Sequence, residues 1–116
     1  MAAAAPLWSI LLAALTALMA AVAMILFKSG AAAVSSSLWS WLLNWQLMVG
    51  VALHAVGFVL LVIALKHGSL SILYPVLATG YVWVALLSAN VLGEPFPALK
   101  WAGVALIIGG ITLIVR

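Results

Sequence analysis

The chain has 116 residues, 70% hydrophobic and 4% charged, with four Lys/Arg against a single acid and a formal net charge of +3. An ordinary soluble domain is about one quarter charged, so this composition excludes a water-soluble globule and calls for a bilayer. The cations are spread along the chain, which argues against a nucleic-acid surface, and the lack of cysteine rules out disulfides and thiolate metal sites.

A helix rises about 1.5 Å per residue and the hydrocarbon core is about 30 Å thick, so a span needs roughly 20 apolar residues. Four segments qualify, at about 6–29, 41–65, 70–92 and 97–115. No alternating barrel pattern is present, and a backbone in lipid must satisfy its own polar groups within each segment. The expected fold is therefore an all-α integral membrane protein, a single four-helix transmembrane domain over residues 1–116.

The first span opens with "MAAAAPLWSILLAALTALMAAVAM", whose AxA-like end invites a signal-peptide reading. It lacks a positively charged start, and its apolar run exceeds the roughly 7–15 residues of a signal h-region, so it is expected to remain as a helix. Ala13, Thr16, Ala20 and Ala23 form a small-residue stripe along it. "KSGAAAVSSS" is expected to end it with a charge, a C-terminal glycine at Gly30 and small polar residues. Lys28 either snorkels to the headgroups or serves as a compact point charge for a phosphate.

The entry to the second span, "LWSWLLNWQL", carries Trp39, Trp41 and Trp45, an interfacial aromatic belt or a lipid-binding lip. Gln46, Gly50, His54 and Gly57 are spaced by four, four and three residues and share one helix face. Polar side chains at bilayer depth face cavities or partners, which makes Gln46 and His54 candidate ligand contacts. The two histidines have no metal-ligand spacing on one helix, so neither metal nor cofactor is expected. "KHGS" makes a very short turn, which forces the next span to run antiparallel.

In the third span Tyr74, Ala78, Tyr81, Ala85 and Ser88 share a face. Pro75 removes the backbone bond to the Ser71 carbonyl, and Gly80 adds a soft point one turn on. A hinge and a static kink both satisfy this pattern. "VLGEPFP" closes the span at Gly93 and opens the next with prolines, which a first helical turn tolerates. Glu94, the only acid, sits at the membrane boundary, where a carboxylate meets the positive end of the following helix and where Lys28 or Lys100 could pair with it. It is not buried at mid-membrane, so it is assigned with Pro75 and Gly80 to the turn and gating elements and not to proton coupling.

The fourth span carries Ala98/Ala102 and Ala105/Gly109, small-xxx-small pairs that let helices approach closely, with Gly103 and Gly110 one heptad apart. Trp101 marks its interfacial end. Four spans put both termini and the Lys66/His67 turn on one side and Lys28, Glu94 and Lys100 on the other. Each side then holds two Lys/Arg, so the positive-inside rule is balanced. The amino terminus and His67 favour cytoplasmic termini, and dual topology stays open.

"LSILYPVLATGYVWVALLSANVLGEPFPALKWAGVALIIGGITLIV" resembles the last two helices of small four-helix members of the drug/metabolite transporter superfamily, EamA-like proteins and in particular the aminoarabinose-phosphoundecaprenol flippase subunits. The "YP" of the third span, the "GEP" turn, "GVALIIGG" and the lysine of "ILFKSG" carry the likeness. The small multidrug resistance branch has a membrane-embedded glutamate two turns before that lysine and a tryptophan three residues after the motif tyrosine. Ala20 and Leu77 stand at those positions here, which argues against proton-driven export of cationic drugs.

The resemblance implies a bacterial inner-membrane transporter that flips a polyprenyl-phosphate-linked sugar or similar anionic lipid. One four-helix unit does not easily enclose a pathway, so a homodimer or a heterodimer with a similar small subunit is expected, with the fourth helix in the interface and the first three lining the groove. Lys28 would contact the phosphate, and Gln46, His54, Tyr74 and Tyr81 would hydrogen-bond the headgroup. A small-metabolite or drug exporter and a non-transporting accessory subunit are the alternatives. No nucleophile, base and acid fall together as an enzyme would require.

Overall fold

The structure is a computed structural model that describes residues 4–115; the first three residues and Arg116, counted above among the charges, lie outside the described residues. Six helices follow one another: α1 (Leu7–Ala31), α2 (Leu38–Leu42), α3 (Trp45–His67), α4 (Leu70–Leu77), α5 (Thr79–Asn90) and α6 (Ala98–Val115). Four spans are long and apolar enough to cross a membrane: α1, α3, α4 with α5 as Leu70–Asn90, and α6. The chain is an all-α, multi-pass membrane protein.

In lipid the hydrophobic effect does not drive helices together, so close packing between small side chains must. α1 is the helix best built for that. Ala13, Ala17, Ala21 and Ala23 are all buried on it, together with Ser9 and Thr16. With so little side chain in the way, α3, α4 and α5 all approach α1, which becomes the central element. Its two buried hydroxyls cost little because each bonds its own helix: Ser9 Oγ donates to Pro6 O at 2.8 Å and Thr16 Oγ1 to Leu12 O at 3.0 Å. At the terminal end, Ala13 packs with Ala64, Leu73 and Val76 in a small buried cluster that α1, α3 and α4 share.

The first span does not stop at Gly30. Helix α1 continues to Ala31, and Gly30 is buried inside its last turn, where its carbonyl accepts a 2.7 Å hydrogen bond from Asn44 Nδ2. The second span likewise begins later than its tryptophans suggest. Ser37 to Leu42 coils into the separate short helix α2, and α3 starts only after Asn44, whose Oδ1 accepts from Leu47 N at 3.3 Å as an N-cap. Asn44 thus caps one span and ties it to the end of another.

The third span is broken at Ala78. Pro75 has no N–H to give Ser71, and the chain answers by tightening: Ala78 N bonds Pro75 O at 2.9 Å and Tyr81 N bonds Ala78 O at 3.0 Å, both over three residues. Thr79 Oγ1 adds a 2.8 Å bond to Val76 O. Beyond α5, Gly93 adopts φ +68°, which an L side chain resists, and Glu94 N returns to Ser88 O at 3.1 Å. Glu94 and Phe96 each precede a proline, which disfavours helical backbone, so α6 begins only at Ala98. Glu94 therefore lies ahead of the first turn of α6 and does not cap it.

Helix α6 packs on α4 and α5 and has no buried residue. The chain forms a slab of 51 × 36 × 19 Å, thin enough for only two layers of helices at the usual 8–10 Å spacing. Much of its apolar surface, such as Leu106 at 78% and Leu113 at 72% exposure, is thereby left for lipid.

Candidate functional site: a groove between the second and third spans

The short Gly68 turn brings the backbones of α3 and α4 together, but α3 makes no close approach to α5 among the described residues. The second and third spans therefore part beyond the Ala78 break, with α1 lying behind both. The space left is a groove of about 650 Å³, inside the roughly 300–1,000 Å³ range of ligand pockets. Thr16, Ala17, Ala20, Ala21 and Met24 of α1 form its floor. Leu53, His54, Gly57, Phe58 and Leu61 form the α3 wall; Tyr74, Pro75, Leu77 and Ala78 with Gly80, Tyr81 and Val84 form the opposite wall.

The groove is apolar apart from a few groups, and those are the ones a ligand would meet. Tyr74 and Tyr81 are each 68% exposed and stand two turns apart, about 10 Å along the axis. His54 faces them from α3 near the middle of its span. Its ring rests against Phe27, with centroids 5.3 Å apart and planes tilted by 34°. The other histidine, His67, is at the terminal end, where its Nδ1 lies 3.2 Å from Ile63 O and its ring meets Trp8 edge-on. Thr16 Oγ1 also reaches Gly57 O at 3.5 Å across the floor.

Of the eight residues singled out by sequence, the groove brings together His54, Tyr74, Pro75, Gly80 and Tyr81. Lys28 and Gln46 are outside its lining. Gln46 is half-buried, packed beside Gly30, and Lys28 is exposed on the last turns of α1. Lys28 nonetheless follows Met24 of the floor by four residues, about 6 Å along the helix. Pro75 and Gly80 bracket the break, and a Cβ built on Gly80 would lie 3.5 Å from the Ala17 carbonyl oxygen, an ordinary contact distance. Glu94 is exposed in the loop before α6, while Lys100 holds its ammonium 5.8 Å above the centre of the Phe96 ring.

Two residues that matter to this geometry escaped the sequence reading. Asn44 had a signal, a side chain suited to an N-cap just before a long apolar run. Phe27 had none, since one more phenylalanine in an apolar helix is silent until its neighbours are known. Among the described residues no group of three or more His, Cys, Asp or Glu is placed to hold a metal ion.

The EamA-like transporter family matches the chain over residues 2–116. The chain belongs to that family. Among curated relatives of this EamA-like chain, the probable 4-amino-4-deoxy-L-arabinose-phosphoundecaprenol flippase subunit ArnE of Escherichia coli (strain K12 / DH10B) is 39% identical over 70 residues. The protein of that name from Shigella boydii serotype 18 matches equally. The aligned stretch covers 59% of this chain and 63% of each relative, so the chain spans less than two thirds of the relatives' length. No solved structure matches it. Transport is the activity that the family's description names.

Proposed function

We propose that this EamA-like chain translocates an anionic lipid with a polar headgroup, a polyprenyl-phosphate-linked sugar, across the bacterial inner membrane, working as a dimer with itself or with a similar small subunit. The observation that carries this reading is the groove between two diverging spans, with three hydrogen-bonding side chains at its walls and a lysine one turn beyond its floor. A lipid substrate needs such a slot, because its headgroup must be sheltered while its tail stays in hydrocarbon. The relatives' printed name, a flippase subunit for a phosphoundecaprenol-linked sugar, supports the substrate class and, by the word subunit, an assembly of more than one chain.

In this mechanism the tail never leaves the bilayer and the groove replaces water around the headgroup. Lys28, a strongly hydrated point charge at the membrane boundary, holds the phosphate, and Gln46 lies on the same end of α3 to assist it. His54, Tyr74 and Tyr81 hydrogen-bond the sugar at depth, where an unsatisfied hydroxyl would cost roughly 2–7 kcal/mol. The Pro75–Gly80 break is the hinge about which α5 swings, and the Glu94 turn carries that swing to α6.

The test is native mass spectrometry of the chain in mild detergent with undecaprenyl phosphate added. A dimer that retains the polyprenyl phosphate and releases it in the Lys28→Ala variant supports the proposal. A dimer holding only bulk phospholipid at saturating polyprenyl phosphate would defeat it and leave a soluble-metabolite exporter as the better reading.

A further inference from the structure

Phe27 lies outside the groove, yet it packs against the α3 wall beside His54. A Cβ built on Gly50 would fall 2.5 Å from Phe27 Cε1 and 2.8 Å from Cδ1, so the phenyl ring lies directly on the bare backbone of α3. Gly50 and His54 are four residues apart and share a face, so the same ring that fills the Gly50 notch supports the imidazole one turn on, at 5.3 Å between centroids. The next residue of α1, Lys28, is exposed. The last turns of α1 therefore present a phenyl ring to α3 and a cation to the membrane boundary.

We infer that Phe27 is a positioning residue, seated by Gly50, that sets the orientation of the His54 ring toward ligand in the groove. The inference rests on the proposed lipid-binding role of the groove. An imidazole in an apolar wall turns about a broad, two-fold χ2 torsion unless something holds it. A tilted ring beside one face of the imidazole does so without occupying its nitrogens, which stay available to donate to and accept from a sugar hydroxyl. Because Phe27 and Lys28 are consecutive on one rigid helix, the brace also fixes the separation between the phosphate end and the sugar end of the site. Phe27 thereby helps determine which headgroup length fits.

The experiment uses the full chain in lipid nanodiscs with isotope-labelled histidine, a His67→Asn variant to assign the two rings, and a pentose-linked undecaprenyl phosphate as the probe. The Phe27→Leu variant should shift the His54 ring resonances, because the aromatic ring current is lost, and should weaken probe binding roughly three- to tenfold, the scale of one aromatic pair. Gly50→Ala, which displaces the ring, should reproduce both effects. Phe27→Tyr, which keeps the ring, should restore both. His54 resonances unchanged in Phe27→Leu, or a binding loss that Phe27→Tyr does not rescue, would overturn the inference. Wild-type His54 signals that ignore the probe, with the Phe27-dependent shift intact, would uphold the brace while refuting the lipid reading on which its function rests.

Discussion

Asn44 uses both ends of one amide: its oxygen caps α3 and its nitrogen binds the Gly30 carbonyl of α1. An N-cap contributes about 0.5–2 kcal/mol and an interhelical hydrogen bond in a membrane about 0.6. Asn44→Ala should therefore lower stability by about 1–3 kcal/mol, measured as the unfolding midpoint in a mixed-micelle SDS titration. Asn44→Asp keeps the cap but not the amide donor, and its midpoint should fall between the two; a midpoint equal to wild type would show that the Gly30 bond contributes nothing. His54 behaves differently, since it faces a groove and supports no neighbouring helix by a hydrogen bond. His54→Phe should leave the midpoint unchanged while weakening binding of a sugar-linked polyprenyl phosphate about tenfold, or about 1.4 kcal/mol. Equal loss of stability and binding would mean that His54 is a packing residue. His54 was legible in the sequence because an imidazole is conspicuous among aliphatic residues, whereas Phe27 was not, since its role depends on a glycine 23 positions away on another helix.

At the scale of elements, the broken third span separates wall from support. Its first part is held by the buried Leu73 and Val76, and its second part, α5, leans on α1 and away from α3. Replacing Pro75 restores a backbone donor for the Ser71 carbonyl, and an interior proline costs a helix about 3 kcal/mol. Pro75→Ala should straighten the span and slow transport. The chain has no cysteine, so spin labels at Ser71→Cys and Val91→Cys report the change cleanly, as a longer and narrower distance distribution. An identical distribution would assign the break to packing against α1 instead of to proline. The site of a bend was legible from Pro75 and Gly80; its placement at Ala78 follows from how the freed carbonyls find partners three residues on. The two-part start of the second span had one signal, Asn44 as an N-cap, which a run of Leu and Trp that otherwise reads as one helix masked.

For the whole molecule, the least covered element is α6, which packs on α4 and α5 but buries no residue. Its Gly103, Gly109 and Gly110 have open space where a Cβ would go, so among the described residues nothing packs against these positions. Small residues in a lipid-facing helix are where another helix backbone comes close. In the proposed dimer α6 is that contact. Gly109→Leu together with Gly110→Leu should shift the population from dimer toward monomer, read by energy transfer between labelled copies as they are diluted in liposomes. Unchanged transfer would place the contact on another helix.

Span number and helical class were determined by the sequence alone, because hydropathy and turn residues are read along one strand of chain. The choice of α1 as the centre, the parting of the second and third spans, the seating of Phe27 on Gly50 beside His54 and the exclusion of Lys28 from the groove lining were decided only by the tertiary structure. The reason is physical. These helices are apolar on nearly every side, so no amphipathic stripe tells which face turns inward, and only the fit of small residues against neighbouring backbones makes that choice.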